Sequence, residues 1–215
     1  MDDLSLRQEI LDELEFDPSI DAASIAVAVE NGIATLAGSV GSYAEKVAAE
    51  QAALRVKGVR GVAQEIKVVY PTDKKTGDNE IAQRAANVIE WNTAIPKGRV
   101  KVKVQDGWVF LTGDVEWQFQ KLAAETAVRK LTGVTGISNQ VTVKPAVNAS
   151  NIKTHIQDAL KRYAELEAGA IQVKVSGNSV TLEGQVHAWT ERNAAARAAW
   201  SVPGVASVAD HLVVA

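Results

Sequence analysis

The stretch that decides the fold is "NGIATLAGSV", residues 31–40. It reads as a two-residue hairpin turn, Asn31-Gly32, running into an alternating strand that ends on a second glycine, Gly38. The same pattern comes back twice, as "DGWVFLTGDV" at 106–115 and "GNSVTLEGQV" at 177–186. Gly38, Gly113 and Gly184 are therefore equivalent, 75 and then 71 residues apart. Twenty residues beyond each stands another glycine, Gly58, Gly133 or Gly204, and ten residues beyond each an alanine, Ala48, Ala123 or Ala194. Three matching spacings in three copies define an internal repeat, and a repeat is the first thing a fold reading must settle.

Working outward, each copy opens with an apolar stripe at helical spacing: Leu6, Ile10, Leu11, Leu14; then Ile81, Ala85, Val88, Ile89; then Ile152, Ile156, Leu160, Tyr163. Ser5, Asp78 and Ser150 are the candidate N-caps, and Ser5 with Gln8 fits a capping box. The alternating runs "IAVAV", "VKVKV" and "IQVKV" follow as first hairpin strands. The turns are Asn31-Gly32, Asp106-Gly107 and Gly177-Asn178. The second strand is expected to end at the recurring glycine. An alanine-rich helix then runs to Gly58, Gly133 or Gly204, each expected in the left-handed C′ position, with Val59, Val134 or Val205 closing the apolar end. A last strand completes the unit: "AQEIKVVY", "SNQVTVKP", "ADHLVVA". Short proline-bearing linkers, "YPTDKKTGDNE" and "KPAVNAS", separate the copies and keep neighbours close. The expected fold is α+β: three tandem αββαβ domains over 1–70, 77–145 and 148–215, each a three-stranded sheet with two helices on one face.

Composition narrows the function classes. The 215 residues are 47% hydrophobic and 23% charged, with net charge −3 and no cysteine. Disulfides, thiolate metal sites and cysteine nucleophiles are excluded together, and the mild acidity argues against a wholesale nucleic-acid binder. No apolar run approaches the roughly 18 residues of a membrane span. The start, "MDDLSLRQEILDELEF", is acidic and amphipathic, unlike a secretory signal. The expected location is cytoplasmic if Met1 is the natural start, and periplasmic if the chain has been shortened.

The hairpin glycine, the L-x-G strand end, the mid-helix alanine and the "GV" helix stop resemble the BON domain (bacterial OsmY and nodulation), and all three copies carry the resemblance. The third departs from it, with Ser207 where the others have Gly61 and Gly136 and with its turn order reversed. The resemblance implies an αββαβ fold, a role in bacterial osmotic-shock and envelope stress, and contact with phospholipid surfaces. Its best-known members are periplasmic, with two copies. Some relatives add a LysM module and sense potassium, which makes small-ion sensing a further alternative; no LysM-like segment is left over here.

Catalytic chemistry is hard to find. His155, His187 and His211 occupy unrelated positions of the repeat, and His155 with Asp158 supplies only two groups, too few for a closed metal site. Acidic pairs such as Asp12/Glu13 and Glu165/Glu167 read as solvated helix faces. No nucleophile elbow, P-loop or zinc-protease motif is present. The hairpin glycines lie between two strands, the wrong place for a phosphate loop, and no lysine recurs near Gly38, Gly113 or Gly184. No enzyme, cofactor or metal site is expected.

The informative signal is how the copies differ. In each hairpin one face meets the helices: Val27, Ala34 and Leu36; Val102, Val109 and Leu111; Val173, Val180 and Leu182. The opposite face is Gln172, Lys174, Ser179, Thr181 and Glu183 in the third copy, an ordinary wet surface. It is Ala26, Ala28, Ile33 and Thr35 in the first, and Lys101, Lys103, Trp108 and Phe110 in the second. Either the first two faces bury each other or a second subunit, or the second contacts a ligand: an anionic membrane or, less in keeping with the overall charge, stacked RNA bases. The units 1–75, 76–146 and 147–215 carry net charges of −5, +2 and 0. Lys97, Arg99, Lys101 and Lys103 are accordingly the candidate head-group contacts. Aromatics where the hairpin meets the long helix, Tyr43, Trp117 with Phe119, and Trp189, read as staples over the helix start or as interfacial anchors. The leading expectation is a non-enzymatic stress-related module on an anionic phospholipid surface; the alternative is a protein–protein or self-assembly module.

Overall fold

The computed structural model describes residues 2–70, 76–145, 151–162 and 170–214. The first domain runs α1 (Asp3–Phe16), β1 (Ile25–Glu30), β2 (Ile33–Val40), α2 (Tyr43–Arg55) and β3 (Gly61–Val68). The second runs α3 (Asp78–Trp91), β4 (Val100–Gln105), β5 (Trp108–Val115) and α4 (Gln118–Arg129), then a last strand in two pieces, β6 (Gly136–Asn139) and β7 (Thr142–Val143). The third runs α5 (Ile152–Arg162), β8 (Ile171–Ser176), β9 (Ser179–Val186), α6 (Trp189–Trp200) and β10 (Ser207–Val214). Ser150, Tyr163, Glu165 and Glu167 lie outside the described residues.

The second hairpin strand is central in each sheet. It pairs antiparallel with the first across the turn and parallel with the last, Val27 facing Leu36 and Ile33 facing Gly61 in the first domain. A parallel neighbour needs a crossover, and the alanine-rich helix supplies it. Both helices cover one face, and each domain encloses its own core. In the first, Leu6, Ile10 and Leu14 of α1 meet Ala49, Ala52 and Ala53 of α2 over Val27, Ala34 and Leu36. The small residues on α2 let the helix lie close to the sheet, which is why the long helix is rich in alanine. Val109 with Leu111, and Val180 with Leu182, fill the same places in the other domains.

Several local expectations are corrected. The cap of α1 is Asp2, which accepts from the Ser5 amide at 2.7 Å; Ser5 is inside the helix. Asp78 is the first residue of α3, after Gly77. Its carboxylate instead accepts from the Asp106 and Gly107 amides at 2.7 and 2.9 Å, and Asp3 does the same for Asn31 and Gly32. The first helix thus pins the hairpin turn in both domains. Gly58, Gly133 and Gly204 do have positive φ (100°, 94° and 90°), but they lie past the helix cap. Each is the third residue of a turn closed by the following valine amide, as in Val59 to Val56 O at 3.3 Å.

The largest correction concerns the glycine of the opening stretch. β2 does not end at Gly38 but continues to Val40, and Gly38 stands opposite Ile25. Its φ is 140°, and a Cβ there would sit 2.1 Å from the Ser24 carbonyl oxygen. Gly113 and Gly184 repeat this with φ of 128° and 133° and carbonyls of Arg99 and Ala170 at 2.0 Å. The glycine is absent a side chain because the chain entering the first strand passes across its Cα, and no other residue leaves that space.

The aromatic ring at the start of α2 is not a staple over its own helix. Tyr43 packs against the core of the second domain. Tyr70, just past β3, donates its hydroxyl to the Val134 carbonyl at 2.8 Å. Burial pushes the Tyr43 hydroxyl above its usual pKa, with the Glu125 carboxylate adding to the rise, and burial does the same to Tyr70. The first two domains are therefore docked.

Candidate functional site

The open faces of the first and second sheets do not bury each other: Ile33 is 42% and Trp108 47% exposed, and Ala26, Ala28, Lys101 and Lys103 are exposed as well. The period of two puts Lys101, Lys103, Trp108 and Phe110 on that face of the second domain. Register brings them together, since Lys103 faces Phe110 and Lys101 faces Thr112. The Trp108 and Phe110 rings lie 6.5 Å apart, tilted by 30°, and Lys103 Nζ sits 5.6 Å from the Phe110 ring centre, within cation–π reach.

Trp108 has a built seat. Its parallel neighbour is Gly136, and a Cβ on Gly136 would lie 2.6 Å from the indole, so the ring lies flat on bare backbone. Gly61 stands in the same relation to Ile33, where an added Cβ would lie 3.2 Å from the Ile33 Cδ1. In the third domain the pair becomes Ser207 and Ser179, whose hydroxyls are hydrogen bonded at 2.9 Å. Loss of the large side chain and loss of the glycine thus go together, which accounts for Ser207 in the third copy.

The other basic residues divide. Arg99 pairs with Asp114 at 3.0 Å, and Lys144 approaches the same carboxylate at 4.0 Å. Arg99 is thereby partly neutralised, and Lys144, which sequence reading did not single out, joins the edge of the face. Lys97 lies elsewhere, in an open groove beside Trp91, Thr93 and Ile95. Trp91, also missed, is 86% exposed at the end of α3, and Phe16 at the same place in α1 is 85% exposed. Their signal in the sequence was an aromatic as the last helical residue, on the side away from the apolar stripe. Among the described residues Lys101 and Lys103 form no ion pair, whereas Lys174, the counterpart of Lys103, is held by Glu183 at 2.5 Å. The described residues contain no cluster of three His, Asp or Glu side chains placed to hold a metal. No helix among them is long and apolar enough to cross a membrane.

A triplicated αββαβ unit with a glycine in mid-hairpin, and an exposed aromatic and basic sheet face in one copy, defines a class of small α+β repeat modules. The chain belongs to the BON domain family, whose model matches residues 2–70, 77–145 and 148–215. It is 28% identical over 151 residues to osmotically-inducible protein Y of Escherichia coli (strain K12), covering 67% of this chain and 74% of that protein. Two solved structures of CdsD, a structural protein of the type III secretion system of Chlamydia trachomatis, align at 13% identity with TM-scores of 0.27 and 0.28. These alignments cover 98% and 100% of this chain, and 92% and 100% of those chains.

Proposed function

We propose that the chain is a non-catalytic stress-related module that adsorbs to anionic phospholipid surfaces through the open sheet face of its second domain. BON membership and the likeness to an osmotically inducible protein support the stress context. The observation that carries the lipid reading is Trp108 and Phe110 seated side by side next to Lys101 and Lys103, which no carboxylate among the described residues neutralises. An indole suits the boundary between head groups and acyl chains. Each lysine near an anionic leaflet contributes about 1 kcal/mol, so the pair contributes roughly thirtyfold in partitioning. Co-sedimentation with phosphatidylglycerol vesicles tests this. Wild type binds anionic and not neutral vesicles, and Lys101→Glu with Lys103→Glu abolishes binding. Equal binding of the double variant, or a salt-independent association with neutral vesicles, refutes it. A concentration-dependent dimer lost on Trp108→Glu, without any vesicle binding, gives the face to self-association instead.

A further inference from the structure

The two linked junctions use one kind of contact. In the first, the end of β3 and the start of α2 reach the turn that follows α4, where Tyr70 binds Val134. In the second, Trp117 and Pro145 face Gly204 and Val205, the same turn of the third domain, across a gap of about 50 Å³. Tyr70 and Pro145 are equivalent in the repeat, as are Val134 and Val205. The contact is therefore heterologous: the tail of one domain on the head of the next.

No linker joins the third domain to the first, yet the same surfaces meet there. His187, just before α6, and Val214, at the end of β10, face Gly58 and Arg60, in and beside the corresponding turn of the first domain. Helix α6 packs alongside α2. Trp189 begins α6 at the position that Tyr43 holds in α2; Arg192 stacks on its ring at 4.8 Å, and its indole nitrogen is buried without an acceptor among the described residues. A heterologous contact closes into a ring when its rotation returns to the start and otherwise propagates as a filament. Here it returns after three steps.

We propose that the chain is a closed pseudo-threefold ring, clasped non-covalently by the third domain on the first, and that the clasp occupies head and tail surfaces otherwise open to a second copy of this chain. Within this ring each tail surface lies against a head surface, and neither is left bare. An open pocket of about 570 Å³ lined by Asp2, Asp3, Arg60 and His187 lies along the clasp, beside the packing of α6 on α2.

The chain has no cysteine, so introduced thiols are unique. With Arg60→Cys and Val214→Cys, a short bis-maleimide is expected to bridge within one chain, at monomer mass. Tyr70→Cys with Thr135→Cys is the positive control at the first junction. Bridging only between chains, or none while the control bridges, overturns the proposal. Small-angle scattering of the unmodified chain is expected to give a radius of gyration near 17–18 Å, against roughly 23 Å for three domains in a row. The larger value overturns the ring. Trp189→Ala shifts the radius toward the larger value with unchanged helical signal; if that variant unfolds, the crosslinking of the otherwise native chain decides. None of these readouts depends on lipid.

Discussion

Replacing Gly38 by alanine adds one methyl group and should unfold the first domain or nearly so. The new Cβ falls 2.1 Å from the Ser24 carbonyl oxygen and 3.4 Å from the Ile25 Cα, both backbone. Normal contact of carbon with oxygen is more than an ångström longer, so β1 and β2 must separate where Ile25 pairs with Gly38. The φ of 140° adds strain of about 1–3 kcal/mol, because L residues rarely adopt it. Parting the strands also weakens the hydrogen bonds next to that pair, at about 1 kcal/mol each. The expected cost is about 3–5 kcal/mol. A domain of this size has roughly 4–10 kcal/mol to lose. Urea unfolding followed by circular dichroism measures the difference from the shift in midpoint at constant slope. The control is Gly41→Ala, which meets only the Glu45 carboxylate, at 3.8 Å, and should change stability by less than about 0.5 kcal/mol. A Gly38→Ala cost below about 1 kcal/mol would refute the close-approach explanation.

Gly136→Ala should lift the Trp108 indole off the sheet, because a Cβ there lies 2.6 Å from the ring; tryptophan emission should shift to the red and vesicle binding should fall with little change in helix content. Tyr70→Phe removes the hydrogen bond to Val134 and should cost about 1 kcal/mol in the docking of the first two domains, read as a lower melting transition. Burial raises the folded pKa of Tyr43 and Tyr70 above the unfolded value of 10.0, so their contribution is complete below pH 10 and is lost as pH rises through the folded values. Alkaline titration of the unfolding free energy should show this fall, and Tyr43→Phe with Tyr70→Phe should flatten it. Ser179→Trp with Ser207→Gly should recreate the aromatic seat in the third domain, whereas Ser179→Trp alone should be the less stable of the two, since Ser207 then crowds the indole.

The candidate site was legible as a list and only partly as a place. Alternation placed Lys101, Lys103, Trp108 and Phe110 on one face, because period two is a property of the strand itself. It gave no hint that Arg99 would spend its charge on Asp114, or that Lys97 would fall beside Trp91, because loop conformation decides both. The seat under Trp108 was visible as Gly136 but not interpretable. Its meaning depends on β6 lying parallel to β5 in a particular register, a pairing between segments 28 residues apart.

By itself the sequence determined the repeat, the order of helices and strands, the turns and the inward faces. These follow from local chemistry: apolar spacing of three and four or of two, and glycine or asparagine where φ is positive. Tertiary structure decided what local spacing does not encode. It put the second hairpin strand at the centre of each sheet, which turned Gly38 from a strand end into a crossing point. It sent Tyr43 into a neighbouring domain and brought the third domain round to the first. Both depend on surfaces far apart in the chain fitting one another, and the spacings shared by every copy carry no information about which copy lies next to which.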